Sequence, residues 1–282
     1  MHYNIDFPHL GIFLEHVGKN ISVKGFDIAY YGITIAVAIL LAILLVFLRA
    51  KHSGQDVNDY ENLAILGIIF GIIGARIYYV IFSWSDYRED IKSVFNIRQG
   101  GLAIYGGIIA GFLTAYLYTK FKKLSFWQVA DTVCLGFPAG QMIGRWGNFF
   151  NREAFGEYTD SLFAMRLPID AVRASDVTDK MREHITAVDG VRTIQVHPTF
   201  LYESAWCLMI LIILLVMSYR GKNLFTGQVF LTYLGLYGLG RVFIEGLRTD
   251  QLKVGPVAVS QVLSGVLVIL CFGLILRRRK HR

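Results

Sequence analysis

The sequence predicts an all-α polytopic membrane protein: seven transmembrane helices, with a small mixed extracytoplasmic head between helices four and five. Three observations carry that reading. Of the 282 residues, 54% are hydrophobic and only 17% are charged, whereas soluble domains carry about 25% charged residues. Apolar runs recur at close to the ~20 residues that cross a hydrocarbon core of ~30 Å, and the mean hydropathy is +0.48. The basic residues gather at alternate joints between those runs.

The runs fall at 28–48, 63–82, 102–119, 127–143, 200–218, 227–243 and 257–276. Backbone polar groups find no water in lipid, so each run is expected to be a helix that bonds within itself. The first joint carries Arg49 and Lys51, the third Lys120, Lys122 and Lys123, and the fifth Arg220 and Lys222; the chain ends in Arg277, Arg278, Arg279, Lys280, His281 and Arg282. With seven crossings all of these share one side, giving twelve Lys and Arg against Asp56, Asp59 and Glu61, a net of +9. The opposite segments sum to −2. The excess of basic residues in cytoplasmic loops then predicts an N-terminus outside and a C-terminus in the cytoplasm. Six or eight crossings would scatter the basic joints over both faces. The net charge of +7 therefore points to the membrane, and no nucleic-acid partner is expected.

Residues 1–24 are mixed and polar, so no cleavable signal peptide is expected. Cys134, Cys207 and Cys271 stand far apart in apolar runs; their spacing suits neither a metal site nor a disulfide framework. Residues 1–282 read as one membrane-embedded domain carrying the head as an insertion at 157–196. Alternation at 161–167 and 191–196 predicts short strands, and 176–184 predicts a brief helix.

Charged residues interrupt the apolar runs. Arg76, Arg145, Arg241, Asp131, Glu203 and Glu245 balance in sign, which allows mutual pairing; intramembrane ions also mark functional sites. Arg241 and Glu245 stand four apart and share a helix face. Asp131, one turn into the fourth run beside the basic joint, reads as structural. The remainder, with Tyr31 and Arg248, fall in the outer halves of their runs and predict one outward-facing site. Glycine pairs flank Tyr105 at Gly100–Gly101 and Gly106–Gly107. They serve either close helix packing or backbone capture of an anion.

The stretch 144–156, GRWGNFFNREAFG, is the most informative in the chain. Gly144 and Gly147 let the chain turn or pack tightly. The planar fork of Arg145 suits a phosphate. Asn148 and Asn151 offer amides to headgroup oxygens, and Glu153 can orient an arginine or accept a hydroxyl. An anionic lipid headgroup is the ligand this chemistry suggests.

Gly144, Arg145, Gly147, Asn148, Phe149, Asn151, Glu153 and Gly156 stand in the register of G-R-x-G-N-F-x-N-x-E-x-x-G. At these residues the chain resembles the bacterial prolipoprotein diacylglyceryl transferases, and the resemblance covers essentially its full length. It takes in Tyr31-Gly32, Gly74-Ala75-Arg76, the glycine pairs around Tyr105, His197-Pro198 and Leu201-Tyr202-Glu203. It continues through Tyr237, Gly240-Arg241, Glu245 and Arg248.

The resemblance implies a multi-pass protein of the bacterial cell membrane that moves the sn-1,2-diacylglyceryl group of phosphatidylglycerol onto a lipobox cysteine thiol. The acceptor is the signal peptide of a prolipoprotein, the products are a thioether and glycerol phosphate, and neither metal nor cofactor is implied. Catalytic roles are expected for Arg145 and Arg241 on the phosphate, Glu245, Tyr105 and His197. Substrate contacts are expected from Tyr31, Arg76, Gly100, Gly101, Asn148, Asn151, Glu153, Gly156, Glu203, Tyr237 and Arg248. Many members carry histidine where this chain has Tyr105. A phenol of pKa ~10 is a weak base near neutrality, so Tyr105 is expected to hydrogen-bond substrate. A transporter of a small anionic solute is the alternative, but it predicts midplane polar groups and repeated halves.

Overall fold

The structure, a computed structural model, describes residues 4–88, 90–97, 100–249, 251, 253–254 and 257–280. Gln99 in the glycine-rich segment, and His281 and Arg282 in the basic tail, lie outside them. The chain divides into two units, Met1–Ala42 with Cys134–Arg282, and Ile43–Val133.

In chain order the first unit begins with four short strands, β1 (Ile5–Phe7), β2 (Ile12–Leu14), β3 (Asn20–Val23) and β4 (Phe26–Ala29). β3 and β4 form a hairpin whose turn places Lys24 and Gly25 at positive φ, as a two-residue hairpin turn requires. β4 runs directly into α1 (Tyr30–His52).

The second unit takes up the later part of α1, then α2 (Val57–Phe82), α3 (Ile104–Phe121) and α4 (Phe126–Val133). Asp56 caps α2 by accepting from the Asn58 amide at 3.0 Å. Val46, Ala50, Tyr60, Leu63 and Val129 form the unit's buried core. α2 and α3 approach at Gly74 and Gly106, where a Cβ on Gly74 would lie 2.8 Å from the Gly106 carbonyl oxygen. Small residues let helix backbones close in this way.

The first unit resumes with α5 (Gly136–Asn151), β5 (Met165–Pro168), α6 (Asp179–Glu183), β6 (Thr186–Val188) and β7 (Val191–Val196). Helices α7 (Thr199–Arg220) and α8 (Gln228–Glu245) come next, then β8 (Lys253–Val254), β9 (Val257–Ala258) and α9 (Val259–Lys280). Among the described residues four helices, α1, α2, α7 and α9, are long and apolar enough to cross a membrane. The expected crossings at 102–119 and 227–243 coincide with α3 and α8, of 18 residues each.

Two expectations change. The run at 127–143 is not one helix: α4 ends at Val133, α5 begins at Gly136, and α5 continues to Asn151. Pro138 accounts for the break, since it cannot donate to the Cys134 carbonyl one turn back and its ring crowds that oxygen. Gly144 and Gly147 therefore sit inside a helix. The turn after it is made by Arg152 and Ala154, both at positive φ.

The head also recruits more chain than residues 157–196. Its five-stranded antiparallel sheet runs β2-β1-β5-β7-β6, so two strands come from the N-terminus. Three residues, Ile5 to Phe7, are too few to show an alternation in sequence. Within the insertion, β7 spans the expected 191–196, and α6 occupies only the middle of the expected helix at 176–184. Of the strand expected at 161–167 only the last three residues enter β5, because residues 161–164 form a turn. Ile5, Phe7, Met165, Leu167, Met181, Ile194 and Val196 form the head core together with Phe149 of α5, Phe155 and Phe200 of α7. That core fixes the sheet to the end of the 144–156 stretch.

Candidate active site

The first unit gathers four charged side chains from three helices. Arg145 of α5 lies 2.6 Å from one oxygen of Glu203 on α7. Arg241 of α8 reaches the other Glu203 oxygen at 3.3 Å and Glu245, one turn along α8, at 2.6 Å. Glu245 also accepts from the Ser260 hydroxyl at 2.5 Å, at the start of α9. Glu203 thus bridges the two arginines.

The side chains of Glu203 and Glu245 are 4% and 5% exposed, against 22% and 18% for Arg145 and Arg241. Buried carboxylates are costly unless paired, and here each is paired. The acids hold the arginines from the buried side, while each guanidinium brings five N–H donors in a planar fork. The pairs described use only part of that capacity.

The motif extends this set through α5. Arg145 and Asn148 are three apart on one helix face, with Nη1 and Oδ1 3.5 Å apart. Glu153 accepts from Asn148 at 3.1 Å and from Asn151 at 3.3 Å, and its other oxygen lies 3.3 Å from Arg173 of the head. Glu153 therefore orients both amides and is itself held by the head.

Close packing accounts for two motif glycines. A Cβ on Gly147 would lie 2.7 Å from the Tyr31 ring and 3.1 Å from the Thr34 hydroxyl of α1. On Gly156 it would lie 2.8 Å from the His197 Cβ and 2.7 Å from the Leu247 carbonyl oxygen. The Gly156 amide donates to His197 O at 2.9 Å and the Glu157 amide to Leu247 O at 2.9 Å. A backbone bridge joins Gly156 to Arg248. This crossing puts His197 and Arg248 on either side of the motif's last glycine.

His197 Nδ1 lies 3.2 Å from the Tyr202 hydroxyl. Burial, with Lys180 adding to it, holds its imidazole below the ordinary value of 6.5, while Glu157 pulls the other way. Tyr237 stands one turn before Arg241 on α8 and stacks on Tyr233 at 5.9 Å.

The other four expected residues belong to the second unit. Arg76 of α2 is buried and donates to the carbonyls of Gly100 and Gly101, both at 2.9 Å. Gly100 and Gly101 take positive φ values of 88° and 74°. Tyr105 is exposed in the first turn of α3, its ring 6.5 Å from Tyr78.

Within the first unit, the structure brings together Arg145, Asn148, Asn151, Glu153, Glu203, Arg241 and Glu245. Sequence reasoning passes over Arg173 and Ser260. One is an arginine in a mixed-charge insertion, and the other is a small polar residue at the head of an apolar run. Neither context singles it out.

Two arginines and two carboxylates are thus held in facing pairs between helices of the first unit, in a protein that has, among the described residues, four helices long and apolar enough to cross a membrane. The prolipoprotein diacylglyceryl transferase family model matches residues 19–277. A phosphatidylglycerol–prolipoprotein diacylglyceryl transferase of Clostridioides difficile (strain 630) is 46% identical over 245 residues, covering 87% of this chain and 88% of that protein. The transferase of that name from Clostridium kluyveri is 40% identical over 263 residues, 93% of this chain and 97% of its own. One from Clostridium botulinum (strain Langeland) is 40% identical over 255 residues, 90% and 92% respectively. The chain belongs to the prolipoprotein diacylglyceryl transferase family, and it is a multi-pass membrane enzyme of that type.

Proposed function

We propose that this enzyme transfers the sn-1,2-diacylglyceryl group of phosphatidylglycerol to the lipobox cysteine thiol of a prolipoprotein. The thiol sulfur attacks the glyceryl C3 carbon and forms a thioether. The C3–O bond to phosphate breaks, its electron pair leaves with glycerol phosphate, and the thiol proton passes to solvent or to a neighbouring base.

The observation that carries this reading is the Arg145–Glu203–Arg241–Glu245 set. Leaving-group charge builds on phosphate oxygens as C3–O breaks, and preorganised arginines stabilise charge developing in the transition state. Glu203 and Glu245 position the two forks. Asn148 and Asn151, oriented by Glu153, serve the headgroup, with Tyr31, Tyr237, Gly156 and Arg248 lining the lipid's surroundings. In the second unit, Tyr105 hydrogen-bonds substrate, and Gly100 and Gly101 shape the loop that leads to it.

A free thiol of pKa ~8.5 is a few per cent thiolate near neutrality, and adjacent cations raise that share. Positive field supports thiolate formation without a dedicated base. His197, whose imidazole burial holds below its ordinary value, is the candidate if one takes part.

The same reading includes seven crossings, with α4 and α5 together as the fourth, the N-terminus and head outside and the basic tail in the cytoplasm. The support is the charge asymmetry of the joints. A site on the outer side meets prolipoproteins as they emerge.

The test is transfer from labelled phosphatidylglycerol to a lipobox peptide in reconstituted membranes. Arg145→Ala is expected to lower turnover by about 10²-fold or more while the protein stays folded. Near-normal turnover in that variant would remove the phosphate-clamp assignment.

A further inference from the structure

Arg76 is expected from sequence to touch the lipid headgroup, and its surroundings point elsewhere. Its guanidinium has five N–H donors, and five carbonyl oxygens take them. Nε donates to Val94 at 2.7 Å, Nη1 to Gly100 and Gly101 at 2.9 Å each, and Nη2 to Ser93 at 2.8 Å and Asn96 at 3.2 Å. The Tyr87 ring centroid lies 5.0 Å from the guanidinium carbon, and the residue is 7% exposed. The edges are saturated and one face is covered, so no donor remains for a phosphate.

The cage also anchors the start of α3. Gly100 and Gly101 turn their carbonyls onto Arg76 with positive φ, and a Cβ on Gly101 would collide with Arg76 Nη1 and lie 3.0 Å from the Tyr79 ring. Immediately beyond, the Ala103 amide donates to the Ala75 carbonyl at 3.0 Å, and α3 begins. The side chain of residue 76 and the backbone of residue 75 together set where the first turn of α3 starts on α2. That turn carries Tyr105.

We infer that Arg76 is a positioning residue: it holds the backbone carbonyls of Ser93, Val94, Asn96, Gly100 and Gly101 and thereby sets the placement of Tyr105, without contacting substrate. The link to Tyr105 rests on the proposed function; the cage itself does not. Lysine cannot replace it, because an ammonium has three donors and no planar fork.

Two readouts on the full-length enzyme in lipid nanodiscs test this. The first needs no substrate: tryptic cleavage after Lys92 is expected to accelerate about tenfold or more in Arg76→Lys, because opening of a segment governs its proteolysis. The second is steady-state transfer from phosphatidylglycerol. Because it acts through Tyr105, Arg76→Lys is expected to lower kcat about severalfold, no further than Tyr105→Phe does, with KM for the lipid changed little. Gly101→Ala, which crowds the same contact, is expected to reproduce both effects, and the double variant to be no worse than either single one.

Unchanged cleavage after Lys92 in Arg76→Lys would overturn the cage. Faster cleavage with undiminished kcat would overturn the connection to the reaction. A rise confined to KM, additive with Gly101→Ala, would return Arg76 to the headgroup. Absence of transfer by the wild-type enzyme would count against the proposed function and leave the cleavage result standing.

Discussion

Glu203 illustrates how one residue takes its meaning from partners that are distant in sequence. At the start of an apolar run it is an isolated acid. In the structure it bridges Arg145, 58 positions away, and Arg241, 38 positions away. By contrast, the Arg241–Glu245 pair at 2.6 Å is legible from a four-residue spacing on a helix. His197 supports a pH prediction. Its imidazole is held below 6.5, chiefly by burial, so the folded protein resists a proton that the unfolded chain accepts. The stabilising contribution is therefore complete above 6.5 and is lost as pH falls through the lower folded value. Melting curves at pH 7.5 and at about pH 5 should show a smaller acid loss in His197→Gln than in the wild type. Equal losses would dissociate His197 from the effect. At Tyr105, a hydroxyl that only positions substrate predicts that Tyr105→Phe keeps appreciable transfer activity. A loss as deep as that of Arg145→Ala would make the phenol part of the chemistry.

At the scale of elements, the break between α4 and α5 and the extension of α5 to Asn151 put the motif's first two glycines in a helix. Hydropathy sees an apolar run end at residue 143, because arginine and asparagine come next. The backbone continues because those polar side chains find partners in Glu203 and Glu153. The motif's last glycine marks a crossing of three backbone segments. Gly156→Ala would place a methyl 2.7 Å from the Leu247 carbonyl oxygen, a backbone atom that cannot swing aside. We expect a loss of about 1–3 kcal/mol, the range for overpacking a tight site, together with reduced transfer because His197 and Arg248 flank the same crossing. Thermal unfolding in nanodiscs measures the first effect and the lipobox assay the second; an alanine variant as stable as wild type would show that the crossing gives way.

At the scale of the molecule, the head sheet joins two strands from the N-terminus to three from residues 165–196, with α1 to α5 between them in sequence. β1 lies between β2 and β5, and its Ile5 and Phe7 are buried in the head core. Removal of residues 1–14 should therefore uncover the edge of β5 and open that core, so that little protease-resistant enzyme accumulates in membranes. Normal accumulation would mean that β5, β7 and β6 suffice. The sequence by itself determined the membrane character, the family motif, the helical runs apart from the broken one at 127–143, and the local i,i+4 ion pair. Those depend on composition and short periodicity, which a linear chain displays directly. Only the tertiary structure decided that Glu203 bridges two arginines, that Glu153 meets Arg173, that the N-terminus completes the head sheet, and that Arg76 is enclosed by carbonyls. Each of these is a contact between segments far apart in the chain. Satisfying buried charges and backbone groups selects among many possible partners, and the selection is made only when the segments pack.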